Sequence, residues 1–157
     1  MDIFLKIDGI RGESQDVRHT GEIELESFSW SETAATWPGG SGSGGGGRVQ
    51  MEAFGVTMGV SRASPELFLA VAKGAHFKSA VLSVRHPGST DDFLKWTLSD
   101  IVVSAYRTSD VAGANRVTDG IILLFGKIEI EYHETTASGG LGPPIKAGWD
   151  VAGNRAI

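Results

Sequence analysis

The chain has 157 residues and a formal net charge of −5, which predicts a single domain large enough to bury a sizeable core. Acidic and basic residues are interspersed, so the sequence offers no basic cluster for nucleic acid or for an anionic membrane. Cysteine is absent, and no apolar run is long enough for a signal peptide or a membrane-spanning helix.

The first part of the chain predicts three strands, two of which bend. Residues 3–7 and 22–30 alternate between apolar and polar positions, as strands do. The apolar phase of the second strand slips at Glu26 and Ser27, and a third strand at residues 48–60 also slips. Such slips are typical of β-bulges, which bend a strand and increase its twist. We therefore expect a coiled sheet that closes into a small barrel.

A glycine-rich segment, PGGSGSGGGGRVQ, joins the second and third strands at residues 38–50. It matches the pattern G-x-G-x-x-G, but a strand follows it instead of a helix, so a dinucleotide site is not expected. A linker at this position would leave a first domain too small to bury a core. The segment is therefore interpreted as a loop at residues 38–48 inside one domain at residues 1–157, and loops of this length are usually functional or disordered.

One helix is predicted, from Ala63 to Gly74. Ser64 is expected to cap its N-terminus, with Pro65 in the first helical position, where a missing N–H costs nothing. Gly74 is the expected stop signal. The predicted apolar stripe of the helix consists of Leu67, Phe68 and Val71.

The second half of the chain returns to strand patterns, at residues 79–85, 94–104 and 120–133. Residues from about 135 onward are rich in glycine and proline and are expected to form an extended tail, with Trp149 as an anchor. The resulting fold prediction is mainly β: a partly closed antiparallel β-barrel of two sheets with one short α-helix at its side.

The sequence carries no recognisable catalytic motif. Its histidines lie at positions 19, 76, 86 and 133, and no spacing typical of a nucleophilic, metal or cofactor site links them. The protein is therefore not expected to be an enzyme, and no cofactor or metal is predicted. Two other classes remain open, a β-barrel that binds a small ligand and a hydrolase whose site is assembled from distant residues.

The N-terminal sequence IFLKIDGIRGES, at residues 3–14, resembles the Hcp family of bacterial type VI secretion systems. Further matches follow in the same order along nearly the whole chain. They are Asp16, His19, Gly21, Glu22 and Ile23, then residues 28–30, the glycine run, Ser64, Pro65 and Leu67, residues 98–104, and finally residues 148–150.

The resemblance implies a structural subunit that forms a homo-hexameric ring. Such rings stack into a hollow inner tube that carries small effectors, and the partners it implies are further copies, a spike protein and a sheath. The subunit would be cytoplasmic before firing and secreted afterwards without a signal peptide, with neither nucleic-acid binding nor membrane insertion.

Two groups of residues are expected to act in such a tube. Phe28 and Trp30 are expected to face the core, so Ser29 and Ser31 would point the other way and line the tube interior. The glycine-rich loop is expected to contact the next ring. Its expected stacking residues are Gly39, Gly40, Ser41, Gly42, Ser43, Gly44 and Arg48.

Overall fold

The computed structural model describes residues 1–34 and 49–157, which contain eleven strands and one helix. The elements in chain order are β1 (Asp2–Ile7), β2 (Ile23–Ser29), β3 (Glu32–Thr33), β4 (Gln50–Met51), β5 (Phe54–Gly59), α1 (Ala63–Lys73), β6 (His76–Arg85), β7 (Asp92–Val111), β8 (Arg116–Leu124), β9 (Lys127–Thr135), β10 (Leu141–Asp150) and β11 (Arg155–Ala156).

Antiparallel pairing closes six of these strands into a barrel. The order β7-β6-β1-β2-β5-β8 returns to its start, because β8 also pairs with β7. Strand β7 is long enough to pair with two strands along one edge. Residues Leu94–Ser99 pair with β9, and residues Val102–Val111 pair with β8. The expected fold class, mainly β with a barrel and one short helix, is confirmed.

The predicted bulge in the second strand is present. The register between β2 and β5 shifts between Leu25 and Ser27, so Ile23 and Leu25 are followed on the core side by Phe28. The prediction of one continuous third strand is wrong. At Ala53, where the apolar phase slips, the strand is interrupted, so the short β4 is separate from β5.

The helix begins and ends close to the predicted residues, but three details of the prediction are wrong. Pro65 is the third helical residue and not the first, because the helix begins at Ala63. Gly74 ends it in a left-handed conformation with φ of 61°, as expected, whereas Arg62 occupies the N-cap position without a side-chain hydrogen bond. Ser64 is buried, and it is not the cap. Phe68 is 58% exposed, so the buried face is made by Leu67 and Ala70 instead.

The predicted strand at residues 120–133 is two strands. Strand β8 ends at Leu124 and β9 begins at Lys127, and both lie along the same edge of β7. At the junction the N–H of Gly126 donates to the carbonyl oxygens of Ser99, at 2.9 Å, and Asp100, at 3.2 Å. A Cβ at position 126 would lie 3.2 Å from the Asp100 Cβ. Residues 121–125 are apolar at every position and alternation begins at Lys127, so the sequence pattern changes at the same glycine where the two strands meet in a close contact.

Residues after Thr135 form two more strands, which extend the sheet beyond the barrel. Strand β10 pairs with β9, and β11 pairs with the end of β10. Cross-strand pairing aligns three apolar rows on one face of β7, β9 and β10. These rows are Leu98–Ile128–Trp149, Trp96–Ile130–Ala147 and Leu94–Tyr132–Ile145.

Bulky side chains fill the interior of the barrel. Phe54, Met58, Ile101, Ile121 and Leu123 are each at most 1% exposed and belong to one continuous core. A small barrel packed in this way holds side chains instead of a ligand. In residues 1–34 and 49–157, no helix is both long and apolar enough to cross a membrane.

Candidate functional site

The N-terminal loop, residues 8–22, is tied to the barrel by an ion pair at Arg85. This guanidinium is buried at the end of β6 and donates from Nη1 to Asp16 Oδ1 at 3.2 Å, and also from Nη2 to Asp16 Oδ2. The hydrogen bond from Arg85 lowers the pKa of Asp16 to about 2. The same bond raises the pKa of Arg85. Both groups therefore stay charged over the whole physiological pH range.

His19 makes the second attachment of this loop. Its Nδ1 lies 2.9 Å from Glu22 Oε2, and its Nε2 lies 3.0 Å from Asp92 Oδ1 at the start of β7. The imidazole also stacks on Phe4, with ring centroids 4.2 Å apart, and the Arg85 guanidinium carbon lies 4.9 Å from the centroid of the same ring. Phe4 thus joins the two polar attachments, and the loop is held against β1, β6 and β7.

A separate buried group fixes the helix to the barrel. The Ser64 hydroxyl donates to Asp119 Oδ2 at 2.6 Å, and its Oγ accepts from the Ser61 N–H at 3.0 Å. Burial raises the pKa of Tyr106, and a hydrogen bond with Asp119 adds to that increase. Asp119 is only 1% exposed. Ser64 therefore bonds to the sheet beneath the helix, which explains why it does not cap the helix.

The contacts of His19, His86, His133 and Ser64 fit structural roles. His133 lies 2.8 Å from the Gly142 carbonyl oxygen and 2.9 Å from Glu131, and His86 stacks on Phe93. Ser64 has a carboxylate partner, but a nucleophilic serine needs a neighbouring base such as histidine. Within the described residues, no group of three or more His, Asp or Glu side chains is arranged to hold a metal ion.

The predicted lumen residues lie on the surface. Ser29 is exposed on β2 and lines a surface groove of the subunit of about 420 Å³, which Gly55 and Gly120 help to form. A Cβ at position 55 would lie 3.3 Å from Ser29 Oγ, so glycine leaves room beside this hydroxyl. Ser31 is also exposed, but it follows β2 and does not line that groove; its carbonyl oxygen accepts from the Glu52 N–H at 3.0 Å.

The expected ring-stacking residues, Gly39 to Gly44 and Arg48, lie outside the described residues. Sequence reasoning also missed Arg85, whose partner Asp16 is 69 positions away. Asp16 and His19 are among the residues on which the family resemblance rests, and this was the one feature of the sequence that pointed to the attachments of the N-terminal loop.

Comparison with known proteins agrees with this geometry. The sequence model described as "Type VI secretion system effector, Hcp" matches residues 4–132. This chain belongs to the Hcp family. The chain is 31% identical to protein hcp1 of Pseudomonas aeruginosa over 157 residues, which cover 98% of this chain and 97% of that protein.

Solved structures of type VI secretion proteins share this fold over nearly the whole chain. A structure described as a type six secretion system protein superposes with a TM-score of 0.91 at 26% identity and covers 99% of both chains. Hcp1 from Salmonella typhimurium is 35% identical with a TM-score of 0.81, covering 99% of this chain and 98% of that one. A type VI secretion system effector from Yersinia pestis gives 0.77 at 26% identity, over 96% of this chain and 100% of that one.

Proposed function

We propose that this chain is the structural subunit of a type VI secretion inner tube. In this proposal homo-hexameric rings stack into a hollow tube, and a sheath expels that tube, with its spike protein and small effectors, from the cytoplasm. Membership of the Hcp family over nearly the full chain is the observation that carries the proposal. The polar attachments of the N-terminal loop and of α1 support it, because a subunit under mechanical load benefits from a rigid barrel.

The free edge of the sheet gives the barrel a surface for a neighbouring subunit. Strand β11 pairs with Trp149 and Asp150, and the Ile157 N–H donates to the Gly148 carbonyl oxygen at 3.2 Å, so within the described residues only positions 141–147 of β10 pair on the β9 side alone. Sheet edges of this kind are usually covered or blunted in native assemblies. Pro143 and Pro144 lack N–H donors, which limits how long a ladder this edge forms.

The assembly is tested by light scattering combined with negative-stain imaging. A ring gives a particle several times the mass of the subunit, with a visible central hole. A chain that stays monomeric at micromolar concentration would contradict the proposal, since a closed cyclic oligomer needs the same interface in every copy.

We also propose that Ser29 and Ser31 line the tube interior. Beside Ser29 the groove has Gly55 and Gly120, which leave space around the small hydroxyl, and such space suits a passage for varied cargo. Ser29→Gln places a long side chain over Gly55 and is expected to reduce effector retention while rings persist. Ser138→Gln, at an exposed turn position, is the matched control and should retain effectors normally. Equal retention by both variants would count against the lumen position.

The glycine-rich loop is proposed to contact the next ring, with Arg48 pairing across the boundary. Removal of residues 41–46 shortens the reach of the loop, because an extended chain spans about 3.3 Å per residue. The deletion is expected to spare rings but to weaken stacking and secretion, as measured by size exclusion and a secretion assay. Normal secretion by the deletion variant would leave the loop as a connection only, since loop-closure entropy changes slowly with length.

A further inference from the structure

A cleft of about 460 Å³ lies outside the barrel interior, between the β3–β4 pair and the apolar rows of β7, β9 and β10. Cross-strand pairing places Trp96, Ile130 and Ala147 side by side along its floor. Small-molecule sites commonly have volumes of roughly 300–1,000 Å³ and mainly apolar walls with a few polar groups. The residues that line it are Trp30, Glu32, Val49, Met51, Trp96, Ile128, Ile130, Ala147, Gly148 and Trp149.

Three indole rings dominate this cleft, and one of them is fixed in orientation. Trp30 donates from Nε1 to the Glu52 carbonyl oxygen at 2.9 Å. Its ring lies 5.4 Å from that of Trp96, at an interplanar angle of 56°. Trp149, at the end of β10, is half-buried against the core. Indole faces carry the most negative potential among aromatic side chains and attract cations within about 6 Å.

Glu32 is the one charged side chain among the described residues that line the cleft. It is exposed on β3, and its carboxylate makes no ion pair with any described residue. The cleft therefore combines three electron-rich rings with a carboxylate that has no ion-pair partner among the described residues, and its described lining contains no cationic side chain. This combination is complementary to a positive charge that is carried on an apolar body.

We propose that this cleft binds a small organic cation, of the quaternary ammonium class, with its apolar part on the indole rings and its charge beside Glu32. The site is separate from the filled barrel interior and from the groove at Ser29. It does not depend on ring assembly, so failure of either proposal leaves the other standing.

The test uses benzyltrimethylammonium as the probe and the full chain. Saturable shifts of the indole N–H signals of Trp30, Trp96 and Trp149 are expected in NMR titrations. Benzyl alcohol, which has the ring but no charge, should bind more weakly. Glu32→Gln should weaken probe binding by about two- to fivefold, the scale of an exposed charge pair. Trp149→Leu should weaken it by a similar factor, because the apolar area remains but the π face is lost.

The matched control is Glu129→Gln. Glu129 is exposed on β9 next to Ile128 and Ile130, so its side chain lies on the opposite face of the sheet. This variant should bind the probe as the parent does. The proposal is overturned if the parent shows no saturable indole shifts, if benzyl alcohol binds equally well, or if Glu129→Gln and Glu32→Gln have equal effects. The Glu32 comparison decides the matter even if Trp149→Leu does not fold.

Discussion

Replacement of Ser64 by alanine tests whether the helix is attached through the sheet or through its own cap. The Ser64 hydroxyl donates to Asp119 Oδ2 at 2.6 Å in a site where Asp119 is 1% exposed. A hydrogen bond to a charged group contributes about 1.5–3 kcal/mol, and water does not replace it at a buried position. We expect Ser64→Ala to lower the free energy of unfolding by about that amount, which is more than the roughly 1 kcal/mol typical of a lost N-cap.

Urea denaturation of a double-mutant cycle measures the contribution of this bond. Parent, Ser64→Ala, Asp119→Ala and the double variant are compared under one set of conditions. Residues in direct contact show coupling energies of about 0.5–3 kcal/mol, whereas independent residues add. Coupling in that range is expected here. Strict additivity, with a Ser64→Ala cost near that of a simple cap, would refute the assignment of Ser64 to the sheet contact.

Three further predictions concern packing, backbone contact and pH. Leu67→Ala should lower the free energy of unfolding, measured by urea denaturation, by about 2–5 kcal/mol because Leu67 is fully buried. Phe68→Ala, on the exposed face, should lower it much less, and equal effects would contradict the assigned helix faces. Gly12→Ala should be strongly destabilising, since its Cβ would lie 2.2 Å from the Glu22 carbonyl oxygen. Gly59→Ala is the control, because no atom of the described residues lies within 4 Å of its Cβ, and similar melting temperatures for the two variants would contradict the prediction. The pKa of Asp16 is lowered from 3.8 to about 2, so the stability that its carboxylate contributes is complete above pH 3.8 and is lost as the pH falls toward 2. Asp16→Asn should therefore make the free energy of unfolding depend less steeply on pH in this acid range. An unchanged pH dependence would show that the Asp16–Arg85 pair does not cause it.

Local patterns in the sequence predict the fold where the physical cause is itself local. Alternation between apolar and polar residues identifies β1 and β2, because successive strand side chains point to opposite faces. The phase slip near Ser27 identifies a bulge for the same reason, and Gly74 ends the helix because it readily adopts a positive φ. The polar groups of the N-terminal loop are less predictable, since Asp16 meets Arg85 only after β1 and β6 have paired.

The tertiary structure decides what depends on neighbours distant in the chain. Residues 121–125 are continuously apolar and residues 127–132 alternate, a pattern that one strand covered on both faces at one end would also show. Only the pairing of β8 and β9 and the close contact between Gly126 and Asp100 show that the chain forms two strands there. Ser64 has the residue type of a cap, but burial beside Asp119 gives it a different partner. The cleft arises because pairing among β7, β9 and β10 aligns side chains from three separate segments. The alternation within one strand does not show which residues of the neighbouring strands lie beside it.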